Sequence, residues 1–199
     1  MSAFGCLTQW PFATQSGHDR GGPPAGPCHA PRQSEMTPRQ RDLLALFASE
    51  GVRYLTIGGY GMRCHGFERT TFDIDLWVDR SAQNAAQIAR VIETLAPGHA
   101  PNGTKWCDVF QLDACLVEYP SIGPEKEVDI LTGLGPMDFS ECYARSTVAD
   151  VDGVSLRALC TQDLLESKIL ALKLGTDAPG RVRDQADCDH LRARLRATA

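Results

Sequence analysis

The fold of this chain is decided by residues 57–75, which read IGGYGMRCHGFERTTFDID. A short apolar run ends on the glycine pair Gly58-Gly59, and the triplet Asp73-Ile74-Asp75 lies within a second apolar run. Short apolar runs bounded by glycine or acidic residues are typical of buried β-strands. We therefore predict two strands, joined by a short helix or turn whose beginning carries the glycines.

The acid pair indicates a metal site. In an extended strand alternate side chains share a face, so Asp73 and Asp75 are predicted to point the same way. Two carboxylates on one face repel each other unless a cation lies between them. Mg²⁺ suits such hard oxygen ligands, because it recruits one or two carboxylates together with phosphate oxygens. Since the pair Gly58-Gly59 lets backbone approach a phosphate closely, we predict a site for metal and triphosphate.

A third carboxylate is supplied by Asp129, which lies among strand-forming aliphatic residues in the run 127–131. If this strand lies beside the strand of the acid pair, three carboxylates can hold two Mg²⁺ ions across a phosphoryl displacement. Asp129 could also accept the proton of an attacking hydroxyl group. The alternative is that all three acids are solvent-facing strand residues, and Asp113 is the substitute if Asp129 is misplaced.

The composition excludes several classes of protein. The chain has 199 residues, 43% of them hydrophobic and 23% charged, which suits one globular domain. A net charge of −5 argues against a general nucleic-acid binder. No apolar run approaches the roughly 20 residues that span a bilayer, and the start lacks the pattern of a secretory signal. We expect a cytoplasmic protein with reduced cysteines, of which Cys107, Cys115 and Cys160 lie in apolar runs and should be buried.

The order of elements predicts a mixed α/β (α+β) domain at 36–199, with C-terminal helices from about residue 161. Residues 1–35, rich in proline and glycine, are predicted to be a disordered extension, and translation from Met36 is an alternative start. Predicted helices cover 38–50, 82–96, 138–145, 161–174 (capped by Thr161) and 181–196, with a short helix or turn at 59–66. Predicted strands cover 52–57, 70–78, 127–131 and two short runs within 146–159, with further extended structure at 107–117 and loops at 98–105 and 119–126.

The central motif resembles that of the DNA polymerase β-like nucleotidyltransferase superfamily. That pattern is an apolar residue, Gly-Gly or Gly-Ser, a short spacer and then Asp-apolar-Asp. The residues that match it here are Ile57, Gly58, Gly59, Asp73, Ile74 and Asp75.

The sequence is also similar, more narrowly, to the branch that includes the nucleotidyltransferase toxins of abortive-infection toxin–antitoxin systems. Arg69, Thr71 and the acid pair match its Arg-x-Thr-x-Asp-x-Asp pattern. Lys168 and the segment RVRDQAD at 181–187 match its C-terminal helix motifs. The likeness covers roughly residues 40–195.

The resemblance implies a nucleotidyltransferase fold, in which helices flank a small mixed sheet and C-terminal helices pack on it. It implies two bound Mg²⁺ ions and an NTP substrate. The residues it implies for nucleotide binding are Gly58, Gly59, Arg69, Thr71 and Lys168, and those for metal binding and catalysis are Asp73, Asp75 and Asp129.

The side chains of Arg69 and Lys168 each have two possible roles. Arg69 either pairs with a phosphate or forms a salt bridge with Glu68 or another neighbour. Lys168 lies on an apolar helical stripe, where it either snorkels to the edge or points into a pocket, and we favour the pocket. Asp184 and Asp187 share a helix face and are expected to orient Lys168 or an arginine, with a solvated helix face as the alternative.

These observations predict an Mg²⁺-dependent nucleotidyltransferase that moves a nucleoside monophosphate from an NTP to a hydroxyl of RNA, protein or a small molecule. A cognate toxin or antitoxin is a further expected partner. The alternative is a catalytically inactive antitoxin or partner-binding module on the same fold. A glycine replaces the serine found in many active members, and the chain leaves little material for a dedicated RNA-binding half.

Overall fold

A computed structural model describes residues 35–98, 100, 104–113, 116–119, 127–175 and 178–198. The predicted extension at 1–35 and the predicted loop at 119–126 lie almost wholly outside these residues. The described part is a six-stranded mixed sheet with helices packed against it. The predicted mixed α/β class, with C-terminal helices packed on the sheet, is therefore confirmed. None of the described helices is long and apolar enough to cross a membrane.

The sheet has the strand order β3-β4-β2-β1-β6-β5. Its strands are β1 (Tyr54–Thr56), β2 (Ile74–Val78), β3 (Leu116–Tyr119), β4 (Val128–Leu131), β5 (Thr147–Val151) and β6 (Val154–Ala158). The helices are α1 (Pro38–Glu50), α2 (Gly58–Cys64), α3 (Ala82–Leu95), α4 (Trp106–Val109), α5 (Phe139–Ala144), α6 (Thr161–Leu174) and α7 (Ala178–Thr198).

The two faces of the sheet carry two separate apolar clusters. In β2, Ile74 and Leu76 pack with α1 and α3 on one face, whereas Trp77 packs with α6 and α7 on the other. Because side chains alternate along a strand, Asp75 lies on the same face as Trp77. The same alternation in β4 places Asp129 on the face of Leu131, which belongs to the cluster with α6 and α7. The sheet therefore presents both acids toward the C-terminal helices.

Local sequence signals define α1 and the hairpin of β5 and β6, as predicted. The side chain of Thr37 accepts from the backbone N–H of Gln40 in a capping box, and Gly51 ends the helix with a left-handed φ of 69°. The strands β5 and β6 turn at Asp152 and Gly153, which both have positive φ. These elements confirm the predicted helix at 38–50 and the predicted strand pair within 146–159.

Three other predictions need correction. The strand predicted at 70–78 begins only at Ile74, so Asp73 lies in a bend before it. The predicted extended run at 107–117 is wrong at its start, because α4 forms there and the rings of Trp106 and Phe110 stack with centroids 5.9 Å apart. Contacts at i and i+4 favour a helix over a strand. Cys160, not Thr161, is the N-cap of α6.

The expectation about cysteine burial is partly wrong. The buried thiols are Cys142 and Cys188, whereas Cys107 and Cys160 are half-buried. Cys115 lies outside the described residues. The cysteines of the described part are free thiols.

Candidate metal and nucleotide site

Three carboxylates converge at one end of the central strands. Asp73, Asp75 and Asp129 each offer an oxygen that lies within 4.8 Å of the other two. Asp75 and Asp129 are direct neighbours because β2 and β4 pair in parallel with these two residues in register. The predicted third acid thus comes from the adjacent strand.

Asp73 reaches the cluster by a different route from the one predicted. It does not alternate with Asp75 along a strand but lies in the preceding bend. The hydroxyl of Thr71, a buried residue, lies 3.2 Å from the backbone oxygen of Asp73 and 3.3 Å from its Oδ1. The bend, rather than strand alternation, therefore turns Asp73 toward the other two acids.

The electrostatics of the cluster favour a bound cation. Desolvation raises the pKa of Asp75 well above its ordinary value, and the negative charges of Asp73 and Asp129 raise it further. Lys168 and Arg69 act in the opposite direction and offset only part of this rise. The three donors are all carboxylate oxygens, the ligand type that Mg²⁺ prefers. The donor set therefore fits a hard divalent ion.

The glycine pair is required by close packing against the site residues. Gly58 has a left-handed φ of 58°, and a Cβ there would lie 2.7 Å from Cγ of Asp75 and closer still to its Oδ2. A Cβ on Gly59 would lie 2.6 Å from Cβ of Thr71. The backbone N–H of Ile57 donates to the carbonyl of Asp75 at 3.0 Å, which holds the two segments together. Both glycines thus lie directly against residues of the candidate site.

We expect Gly58→Ala to disrupt both stability and metal binding, because the new methyl group combines a left-handed backbone with a collision against Asp75. Gly153→Ala is the matched control, since Gly153 has a φ of 76° but open space around it. The control should lose about 1–2 kcal/mol of unfolding free energy from backbone strain alone. Urea unfolding measures the change in stability, and titration calorimetry with Mn²⁺ measures the change in metal binding. Equal destabilisation of the two variants with unchanged Mn²⁺ binding would contradict the proposed close packing.

The two predicted cations join the last helix in a buried ion network. Nζ of Lys168 lies 2.8 Å from Oδ1 of Asp184 and 2.9 Å from Oδ2 of Asp187. Nη1 of Arg69 lies 3.1 Å from the same oxygen of Asp187. Lys168 is buried, and both helix acids contact it, whereas its position in a pocket for the nucleotide stays a prediction. Arg69 forms its ion pair with Asp187, and its contact with a phosphate remains a prediction.

This network links three parts of the chain that are distant in sequence. Lys168 lies on α6, the two helix acids lie on α7, and Arg69 lies in the segment that leads to the bend of Asp73. Among these residues and the three clustered acids, carboxylates outnumber basic side chains. A triphosphate would therefore enter this region with less repulsion once a metal ion is bound.

The solved structures that are partly similar in fold to this chain include the following two. One is a candidate nucleotidyltransferase from Thermotoga maritima, with a TM-score of 0.48 and 18% identity, covering 85% of this chain and 99% of that chain. The other is an antigenic nucleotidyltransferase-like protein from Paracoccidioides brasiliensis, with a TM-score of 0.44 and 15% identity, covering 75% of this chain and 71% of that chain. No family model matches the sequence, and no curated protein matches it. The residues of this chain therefore have to carry any functional assignment.

The substitute acid does not join the cluster. The side chain of Asp113 is 80% exposed, and its Oδ1 lies 2.7 Å from Nη1 of Arg80. It therefore belongs to an exposed ion pair, and Asp129 needs no replacement.

One residue of the site was missed by the sequence reasoning. Gln40 is fully buried on α1, and its side chain reaches the backbone beside both Asp73 and β4. Its sequence signal is the Thr-x-x-Gln capping box, which explains it as a helix cap and conceals any second role.

Proposed function

We propose that this protein is an Mg²⁺-dependent nucleotidyltransferase, which moves a nucleoside monophosphate from an NTP to an acceptor hydroxyl. The observation that carries the proposal is the parallel register of Asp75 with Asp129, completed by Asp73 from the bend. The glycine pair lies against this cluster and supports a phosphate site. The motif resemblance of residues 57–75 points to the same reaction class.

In this proposal the three acids would bind the metal, and Asp129 would also act as the general base. The acceptor oxygen attacks the α-phosphorus, the bond from that phosphorus to the bridging oxygen breaks, and pyrophosphate leaves. Asp129 accepts the proton of the attacking hydroxyl. Bound Mg²⁺ would supply charge neutralisation and Lewis-acid polarisation of phosphate oxygens.

The remaining residues would position the triphosphate. Gly58 and Gly59 offer backbone that a phosphate can approach, and Thr71 holds Asp73 in place. Lys168 and Arg69 would contribute positive charge at the side of the cluster nearest α7. Since both cations already contact Asp187, we expect them to act as oriented charges rather than as mobile ones.

The acceptor is proposed only as a hydroxyl of RNA, protein or a small molecule. A toxin–antitoxin role rests on the motif resemblance, with a cognate toxin or antitoxin as the proposed partner. We propose residues 36–199 as the nucleotidyltransferase domain.

The direct test incubates the purified chain with each α-labelled NTP, in Mg²⁺ or in excess EDTA, against bulk RNA and a protein extract. We expect label to enter one acceptor class with Mg²⁺ and incorporation to stop in EDTA, since the acid cluster needs a cation to receive a triphosphate. Asp75→Asn, prepared in parallel, controls for contaminating transferases. Equal labelling by the variant and the natural chain would refute catalysis by this site.

Calorimetry separates catalysis from a binding role. Titration of Mg²⁺ with a non-hydrolysable NTP analogue should show binding by the natural chain. A folded chain that binds neither metal nor nucleotide would favour the partner-binding module.

A further inference from the structure

We propose that Gln40 is a positioning residue for the carboxylate cluster, and for Asp73 in particular. The inference rests on the proposed function, because it assigns to Gln40 a role in preparing the metal ligands. Gln40 lies on α1, a helix that supplies none of the three acids.

The Gln40 side chain is fully buried, with 0% exposure, and its hydrogen bonds use both ends of the amide. Its Nε2 donates to the carbonyl of Phe72 at 2.9 Å and to the carbonyl of Glu127 at 2.8 Å. Its Oε1 accepts from the backbone N–H of Thr37 at 2.9 Å and from the hydroxyl of Tyr60 at 3.5 Å. One amide thus joins four separate points of the chain.

The two carbonyls that accept from Nε2 lie where the acids emerge. The Phe72 carbonyl belongs to the peptide bond that leads into Asp73. The Glu127 carbonyl lies two residues before Asp129 and also accepts the backbone N–H of Ile74 at 3.0 Å. Gln40 therefore hydrogen-bonds to both chain segments at the end of the β2–β4 pair where the acidic residues lie.

Asp73 depends on this contact more than the other two acids do. Asp75 and Asp129 lie inside paired strands, whose ladder fixes their backbone. Asp73 lies in the bend outside the ladder, and the hydroxyl of Thr71, just before the bend, hydrogen-bonds to its backbone oxygen. Gln40 ties the same bend to α1 from outside.

The hydrogen-bond partners around residue 40 require an amide side chain. Two carbonyls need two N–H donors, and the backbone N–H of Thr37 needs an acceptor. A glutamate at this position keeps the acceptor for the helix cap but loses both donors. A methionine has similar length but leaves the two carbonyls and the N–H without this partner. The capping box accounts for Oε1 alone, and the bonds of Nε2 are what the positioning role explains.

The chain contains a matched control at the opposite end of the same sheet. Asn84 on α3 is 1% exposed, and its Nδ2 donates to the carbonyls of Arg53 at 3.0 Å and Asp79 at 2.8 Å. Its Oδ1 accepts from the backbone N–H of Arg53 at 2.7 Å. Asn84 therefore bridges β1 and β2 as a buried amide, at the end away from the acids.

The test is Mn²⁺ calorimetry on the full chain for Gln40→Glu, Gln40→Met and Asn84→Leu, below each melting temperature. Both Gln40 variants should bind Mn²⁺ about 10-fold or more weakly, as expected when a group that orients a metal ligand is lost. Asn84→Leu should be destabilised as well but should keep the affinity of the natural chain. Gln40→Met adds no buried charge, so it keeps the test usable if the unpaired carboxylate of Gln40→Glu prevents folding.

The transfer assay gives a second readout. Raised Mn²⁺ should restore activity to the Gln40 variants and should fail to restore it to Asp75→Asn. Unchanged Mn²⁺ affinity in the Gln40 variants, or equal weakening in Asn84→Leu, would overturn the positioning role alone. Absence of Mn²⁺ binding by the natural chain would overturn the metal site and, with it, this inference.

Discussion

Asp75→Asn should strongly slow metal-dependent transfer and, at the same time, raise the melting temperature of the metal-free protein. The carboxylate of Asp75 is desolvated and repelled by Asp73 and Asp129, so a neutral amide removes an unfavourable charge. Each kcal/mol of relieved repulsion should raise the melting temperature by about 2–4 °C in a chain of this size. Loss of one metal carboxylate should slow transfer roughly 10²-fold or more.

Thermal melts with and without Mg²⁺ separate the two effects. Mg²⁺ should stabilise the natural chain and leave Asp75→Asn nearly unchanged, because ligand stabilisation requires an intact site. Asp113→Asn is the control, since Asp113 is exposed and paired with Arg80. It should show natural activity and the natural response to Mg²⁺. A lower melting temperature for metal-free Asp75→Asn would contradict the repulsion in the cluster.

The raised pKa of Asp75 also predicts how stability changes with pH. A carboxyl group whose pKa is raised by folding stabilises the folded state below its unfolded pKa. That contribution is lost as the pH rises from the ordinary carboxyl value through the raised value. Metal-free Asp75→Asn should therefore lose less stability than the natural chain as the pH rises above the ordinary carboxyl value, as measured by urea unfolding at a series of pH values. Parallel curves for the two proteins would argue against a raised pKa.

Lys168→Met should have the largest effect on stability. The variant leaves Asp184 and Asp187 buried on α7 without their ammonium partner, although Arg69 still contacts Asp187. Removal of one partner from a buried ion pair costs about 3–5 kcal/mol, because an uncompensated charge stays in the interior. Urea unfolding of the metal-free chain at neutral pH measures the loss directly.

Two controls test whether burial is the cause. Arg192→Met removes an exposed ion pair with Asp189, whose side chain is 65% exposed, and should cost no more than about 1 kcal/mol. Adding Asp184→Asn and Asp187→Asn to Lys168→Met removes the buried charges and should restore much of the lost stability. A loss for Lys168→Met as small as that for Arg192→Met would show that the network is not effectively buried.

Elements with strong local signals were predictable from sequence. Thr37 and Gly51 mark the ends of α1 by capping chemistry that involves only a few neighbouring residues. The hairpin at Asp152-Gly153 follows from a turn that needs left-handed backbone. Where burial competes with propensity, the prediction was wrong: the start of the run at 107–117 forms a helix, because α4 packs Trp106 and Val109 into the core.

The candidate site shows the same division. The sequence by itself determined which acids and glycines are present, and that Asp75 and Asp129 each lie in an apolar strand. Only the tertiary structure decided that these strands are parallel neighbours in register, and that Asp73 joins the cluster from a bend. Local chemistry determines caps, turns and alternation, because it acts between residues a few positions apart.

The long-range contacts of the site have no such local signal. Lys168 meets Arg69 through their shared partner Asp187, and Gln40 meets the backbone at Phe72 and Glu127. These partners come together only when helices pack on the sheet and bury their polar groups, which must then find one another. The sequence thus determined the chemical groups of the region 57–75, and packing decided which distant residues hold them in place.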